Sequence, residues 1–211
     1  MRLCLTGGIR SGKSALAQQL IVDRLVSHGK MPDSDEVLVA VFGRAGCDRE
    51  FDSRIEHHKK SRPQAWKVLE LGDVAYTDWS SALKAAMHET PTLLLVDCVG
   101  TLLSCLIEDI ARTHHRNSFY DCDTIDPEIS AELMSCMKLS LDELSSVAKD
   151  VIFITNEVGM APIPPTASGR LFVDCLGWTN QYLRSLSDKT YLVVAGSALE
   201  LGDATEQAYW Q

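Results

Sequence analysis

The 211-residue chain has no CxxC pair, no two histidines at zinc-ligand spacing, and no apolar run long enough to cross a bilayer. The first two absences remove zinc ribbons and dithiol redox motifs. The third removes a membrane-spanning helix, because the longest apolar stretch, Leu93 to Leu103, is interrupted by Asp97. Only a short apolar segment precedes Gly7-Gly8, too short for the apolar region of a signal peptide, so a cytoplasmic protein is expected. Glycine (13) and proline (7) are too sparse for a collagenous or linker-dominated chain, while 45% hydrophobic residues suffice for a sizeable core. Positive charge is also scarce: 20 Lys+Arg stand against 29 Asp+Glu, a formal charge of -9. Such a surface repels nucleic acid and anionic membranes, and neither is expected as a partner; an anionic ligand must be captured locally. The seven cysteines are an odd, scattered set, several in apolar runs, which reads as buried free thiols in a reducing compartment.

What is present alternates from end to end. Short β-branched or Leu-rich runs predict strands at Leu3 to Thr6, Val37 to Phe42, Thr92 to Val96, Val151 to Thr155 and Tyr191 to Ala195, with a weaker one at Trp66 to Leu71. Helical spacing predicts helices from Lys13-Ser14 to near Gly29, and over Asp48 to Lys60, Ser81 to His88, Leu102 to His114, Ile129 to Ala148 and Arg170 to Leu186. Arg116 to Pro127 reads as a surface loop. This alternation is the signature of βαβ units and a mostly parallel sheet covered by helices, in one domain spanning residues 1–211.

Gly7, Gly8, Ile9, Arg10, Ser11, Gly12, Lys13 and Ser14 satisfy G-x-x-x-x-G-K-[ST] between a predicted strand and a predicted helix. With average residue usage, those fixed positions match by accident in about one chain of this size in a hundred. The glycines let backbone N–H groups face a concavity, the helix N-terminus adds positive potential, Lys13 neutralises β- and γ-phosphates, and the Ser14 hydroxyl can ligate Mg²⁺. Asp97 closes the otherwise apolar strand Thr-Leu-Leu-Leu-Val-Asp. An acid at the C-terminal end of a neighbouring parallel strand can hold the metal or its water; alternatively it caps the turn at Gly100. A nucleoside triphosphate and Mg²⁺ are the implied ligands of a P-loop NTPase-type three-layer α/β fold.

Against the acidic average, residues 54–63 (RIEHHKKSRP) are dense in cations. On a helix, Phe51, Ile55 and His58 share one face, and Glu50, Arg54 and His57 another. A neutral imidazole among cations is a plausible nucleophile on phosphorus, yet a solvated charged helix accounts for the same pattern. His114-His115, at another helix end, is satisfied by the helix dipole.

The blocks TGGIRSGKS, RIEHHKKSRPQAWKVLE, LLLVDC, TNEVGMAPIPP, GRLFVDCLGWTNQ and LVVAG together resemble the bifunctional adenosylcobinamide kinase / adenosylcobinamide-phosphate guanylyltransferase family of cobalamin biosynthesis. The resemblance covers most of Leu3 to Gly196. It implies that ATP or GTP phosphorylates the aminopropanol hydroxyl of adenosylcobinamide. It further implies that GTP then gives GMP to an enzyme histidine, from which adenosylcobinamide phosphate takes it. By the family's pattern that histidine is His57, with Lys13 the other catalytic residue. Arg54, His58, Lys59, Lys60, Ser61, Arg62 and Glu70 would contact nucleotide, and Ser14 and Asp97 the Mg²⁺. The resemblance also implies a homo-oligomer, specifically a trimer. Asn156 and Glu157 are placed for a substrate or metal contact, while Asn180 and Gln181 fit packing as well as ligand roles.

Two features depart from the family. Gln19 to Glu36 is longer than expected, and Val39 to Gly43 replaces a Tyr-Ile-Ala-Thr type of strand end, so contacts there fall to the backbone of Val41, Phe42 and Gly43. Two other readings stand beside the main one. One is a P-loop kinase of another small alcohol with His57 idle, and the other is a non-catalytic nucleotide-dependent binding module.

Overall fold

The computed structural model describes residues 1–44, 53, 56, 59, 62–87, 93–114, 124 and 126–202. Seven strands form one sheet: β1 (Arg2–Thr6), β2 (Val37–Val41), β3 (Lys67–Glu70), β4 (Leu93–Asp97), β5 (Asp150–Ile154), β6 (Lys189–Val194) and β7 (Ser197–Leu201). Their order is β3-β2-β4-β5-β1-β6-β7. Every neighbouring pair is parallel except β6 with β7. Strands covered on both faces read as continuous apolar runs, and β5 is buried at all five positions, β2 and β4 at four each.

Five α-helices lie among the described residues: α1 (Lys13–Ser27), α2 (Trp79–Met87), α3 (Val99–Thr113), α4 (Pro127–Ser146) and α5 (Ala167–Leu186). Ala17, Ile21 and Leu25 of α1 pack with Leu3, Leu5, Leu95 and Ile152 on one face of the sheet. Trp79, Leu103, Leu133 and Leu176, from α2 to α5, join Cys4, Leu94 and Phe153 on the other. The mostly parallel, three-layer α/β arrangement is the one the alternating pattern predicts.

Boundaries shift by one to three residues, with visible local causes. Asp126 accepts a hydrogen bond from Glu128 N at 2.9 Å and Pro127 takes the first helical turn, so α4 starts before Ile129. Pro127 therefore belongs to this helix rather than to the predicted loop, most of whose residues lie outside those described. α1 ends in a Schellman arrangement, in which Lys30 N donates to Leu25 O and Gly29 N to Val26 O, both at 2.9 Å. Of the predicted helix over Asp48 to Lys60, the described residues Ser53, Glu56 and Lys59 are helical and exposed; the others lie outside the described set. His114 stands at the C-cap of α3, its ring 2.8 Å from Glu132, in keeping with a helix-end role.

One element was not expected. β7 pairs with β6 through the two-residue turn Ala195-Gly196, both at positive φ (51° and 78°), the geometry of a type I′ hairpin. All five of its residues are exposed, so no buried alternation marks it in the sequence.

The long helices set the shape of the functional end. Twenty residues of helix span about 30 Å, whereas five-residue strands span about 17 Å. The C-termini of α4 and α5 lead directly into β5 and β6, so their first turns rise beyond the carboxyl edge of the sheet.

At the opposite edge, Asp150 receives the Met1 amine at 2.9 Å and Arg24 Nε at 3.0 Å. Burial alone would raise its pKa, but the hydrogen bonds and charges of these two cations hold it below 3.8. A depressed carboxylate pKa contributes stability that is present above the unfolded value and is lost as pH falls through the folded one. Asp150→Asn is therefore expected to lower the melting temperature at neutral pH and to converge with the wild type only as pH falls through the lowered carboxylate pKa. Parallel melting curves across that range would disprove the assignment.

Candidate active site

The loop after β1 is shaped by close approach. A Cβ on Gly7 would stand 2.2 Å from Val193 O of β6, so only glycine fits there. The β6–β7 turn buttresses the loop's far end, where Gly196 N donates to Ser11 O at 2.9 Å. From the other side, Glu157 N donates to Gly7 O at 3.1 Å. Ile9 and Arg10 remain exposed at the rim, and Ser14 is half-buried in the first turn of α1. Neither buttress was identified from sequence. The LVVAG and NEVG blocks were the available signal, but backbone groups carry both contacts.

Lys13 is 7% exposed. Its ammonium donates to Gly7 O at 2.6 Å and Gly8 O at 2.7 Å, and lies within reach of Ser11 Oγ. Burial lowers its pKa from 10.5, and the nearby Cys98 and Asp97 partly oppose that. A concentrated positive charge is thus held at the mouth of the loop by its own carbonyls.

Asp97 closes β4, but β4 is not the immediate neighbour of β1. β5 lies between them, placing the acid two strand spacings, about 10 Å, from β1. Its carboxylate does not cap the Gly100 turn. The cap of α3 is formed by Cys98 and Thr101, with Cys98 N donating to Thr101 Oγ1 at 3.3 Å. Asp97 instead receives Arg62 Nη2 at 2.6 Å, with only 7% and 10% of the two side chains exposed. Arg62 Nε is buried without a hydrogen-bond partner. Two predicted roles, phosphate ligand and metal-side acid, therefore meet in one ion pair.

The other predicted residues divide. Lys59 Nζ pairs with Glu70 at 2.9 Å, a contact that raises the lysine's pKa and joins the basic segment to the end of β3. Arg54, His57, His58, Lys60 and Ser61 lie outside the described residues. At the end of β2, Val41 O accepts from Leu71 N at 2.8 Å and Phe42 O from Cys105 Sγ at 2.9 Å. The Phe42 ring is fully buried edge-on to Trp79, and Gly43 closes onto Gly72. Asn180 proves structural, accepting from Thr155 Oγ1 at 2.7 Å and donating to Asn156 O at 3.0 Å. Glu157 turns its carboxylate back onto Gly159 N at 2.6 Å.

A strand, a glycine loop folded over a buried lysine, a helix beginning at that lysine and an acid on the same sheet edge define a P-loop nucleotide-binding protein. The family described as cobinamide kinase / cobinamide phosphate guanyltransferase matches residues 3–201, and the chain belongs to that family of transferases. It is 29% identical over 201 residues to the bifunctional adenosylcobalamin biosynthesis protein CobU of Escherichia coli, covering 95% of this chain and 99% of the relative. The protein of the same name from Salmonella typhimurium is 29% identical over 204 residues, with 95% and 99% covered. A solved KaiC-like protein from Pyrococcus horikoshii aligns at TM-score 0.40 and 13% identity over 90% of this chain and 69% of the other. That likeness is too distant to bear on the site.

Proposed function

We propose that the chain phosphorylates adenosylcobinamide with ATP or GTP and then carries GMP from GTP, through His57, to adenosylcobinamide phosphate. The observation that carries this reading is the 2.6 Å Arg62–Asp97 pair. It brings Arg62, at the end of the RIEHHKKSRP block, to the acid that closes β4 on the same carboxyl edge as the P-loop, which supports a basic segment working at that edge.

In the first reaction the backbone of Gly7 to Ser14 surrounds the β- and γ-phosphates and Lys13 offsets charge on the oxygens of the transferring group. Ser14 and Asp97 are the hard oxygen donors that suit Mg²⁺, an ion commonly held by one or two side chains together with substrate phosphates. When bound, it supplies charge neutralisation on those phosphate oxygens. The cobinamide hydroxyl oxygen forms the new bond to phosphorus as its proton is lost to solvent, and the nucleoside diphosphate leaves. In the second reaction a His57 nitrogen attacks the α-phosphorus of GTP and pyrophosphate departs. An oxygen of cobinamide phosphate then attacks the same phosphorus, releasing His57 and forming adenosylcobinamide-GDP. Arg54, His58, Lys59, Lys60, Ser61, Arg62 and Glu70 hold the nucleotide, with the Val41–Gly43 strand end at its rim.

The chain works as a single cytoplasmic domain and assembles as a homo-oligomer, a trimer by family resemblance. Among the described residues no helix is long and apolar enough to cross a membrane.

Intact mass measurement after incubation with GTP and Mg²⁺ tests the reading. An acid-labile gain of one GMP is expected in the wild type and not in His57→Ala, which retains cobinamide phosphorylation. A full GMP adduct on His57→Ala would refute the assignment of that residue.

A further inference from the structure

The NEVG block, Asn156 to Gly159, follows β5 directly, and the proposed reactions give none of its side chains a task. β5 is the strand between β1, which feeds the P-loop, and β4, which ends at Asp97. Ile154 pairs with Leu5 on one side and with Asp97 on the other. Each neighbouring strand is about 5 Å away, so a group that reaches from Lys13 toward the Arg62–Asp97 pair must cross over the carboxyl end of β5. Thr155 and Asn156 occupy that end. Thr155 is fully buried and donates its hydroxyl to Asn180. Asn156 is half-buried, and among the described residues nothing hydrogen-bonds its side-chain amide.

The backbone of Asn156 is clamped from both sides. Its carbonyl oxygen accepts from Asn180 Nδ2 at 3.0 Å, and the next amide, Glu157 N, donates to Gly7 O at 3.1 Å. The main chain is thereby fixed against both α5 and the P-loop, and the side chain reaches toward the first turn of α3. A Cβ on Gly100 would stand 3.2 Å from Asn156 Nδ2 and 3.8 Å from Cys98 Sγ. Cys98 in turn lies close enough to Lys13 for charge on the two groups to interact. Glycine at position 100 thus leaves room for an amide that stands between the lysine's loop and the strand carrying Asp97.

We infer that the Asn156 amide donates to an oxygen of the terminal phosphate of the bound nucleoside triphosphate, an inference that rests on the proposed function. The terminal phosphate has no covalent continuation, so it is the part of the nucleotide that can fill the gap over β5 while the rest of the molecule runs back out of the P-loop. An amide suits the place. It offers N–H donors without adding charge to a site that already holds Lys13 and Arg62, and its clamped backbone fixes those donors before the ligand arrives. The contact also lets the site tell a triphosphate from a diphosphate, which a loop that grips the β-phosphate does not do by itself.

The test is equilibrium binding of the α,β-methylene analogues of GTP and GDP, with Mg²⁺, to the full chain by titration calorimetry, for the wild type, Asn156→Ala and Asn156→Asp. Neither analogue can give up GMP and no cobinamide is present, so the ratio of the two affinities isolates the terminal phosphate. The wild type is expected to bind the triphosphate analogue more tightly. Asn156→Ala is expected to weaken that binding by about tenfold, as loss of one hydrogen bond to a charged group does, with the affinity for the diphosphate analogue unchanged. Asn156→Asp keeps the size of the side chain and puts a carboxylate where the donor stood, so the triphosphate analogue should lose at least as much and more than the diphosphate. Melting curves report whether either variant is misfolded, and the aspartate variant keeps the test valid if the alanine variant is. Equal losses for the two analogues would give Asn156 a structural role alone, and unchanged affinities would exclude the contact; either result overturns the inference and leaves the proposed function standing. A wild type that binds neither analogue would overturn both.

Discussion

Lys13→Ala is expected to lower both phosphoryl transfer and guanylyl transfer by about a thousandfold, equivalent to about 4 kcal/mol of transition-state stabilisation. The ammonium is the buried cation at the centre of the loop, held at 2.6 and 2.7 Å from Gly7 O and Gly8 O. In the mechanism proposed above, its charge faces phosphate oxygens as they gain negative charge in both reactions. Lys13→Arg should rescue little, because a planar guanidinium cannot stand where a compact point charge is cradled by two carbonyls. Burial has already lowered the pKa of this lysine from 10.5, so the charged form is lost earlier on the alkaline side. The alkaline limb of kcat/KM, which reports the free enzyme, should therefore turn down below that value. Steady-state rates of cobinamide phosphorylation across pH check this. A Lys13→Ala enzyme within tenfold of wild type would show that the phosphate charge is met elsewhere.

The fold was readable where burial is two-sided. β2, β4 and β5 are apolar without a break because helices cover both faces, and such runs declare themselves whatever the neighbours are. β7 was not readable. An exposed edge strand after an Ala-Gly turn carries no buried face, and its partner is decided by the hairpin alone. Strand order was equally hidden, because nothing in Leu93 to Asp97 says that β5 will insert between it and β1. That insertion moves Asp97 one strand farther from the P-loop than the local pattern suggests.

At the site, Gly7 to Ser14 were readable because a phosphate cradle is a local object, built from consecutive residues. Contacts across the chain were not. Arg62 and Asp97 are 35 positions apart, and each is recognisable by itself as an ordinary ligand; their pairing is a contact across the fold that neither local pattern announces. Val193 O, which compels glycine at position 7, and Gly196 N, which holds Ser11, act through backbone atoms and leave no side-chain signal. Asn180 shows the converse. Its residue type suggested a ligand contact as readily as packing, and the structure uses both ends of its amide to hold the strand end at 155–156.

Arg62→Ala should destabilise the nucleotide-free protein by about 3 kcal/mol, because it removes a buried, hydrogen-bonded cation from beside the Asp97 carboxylate. For a chain of this size each kcal/mol is worth about 2–4 °C, so the melting temperature should fall by about 10 °C. The pair is short, 2.6 Å, and nearly closed to solvent, conditions under which the loss approaches that figure rather than the small value of a surface pair. Arg62 Nε, buried without a hydrogen bond, limits what the pair contributes in total, since an unsatisfied donor costs about 1–3 kcal/mol. Combining Arg62→Ala with Asp97→Asn should accordingly recover part of the loss: the second change removes the charge that the first exposes, and the two must not add. Melting curves of the two single variants and the double variant measure this coupling directly. Additive losses would mean that Arg62 stabilises the chain through its packing alone, and that Asp97 is held in place without it.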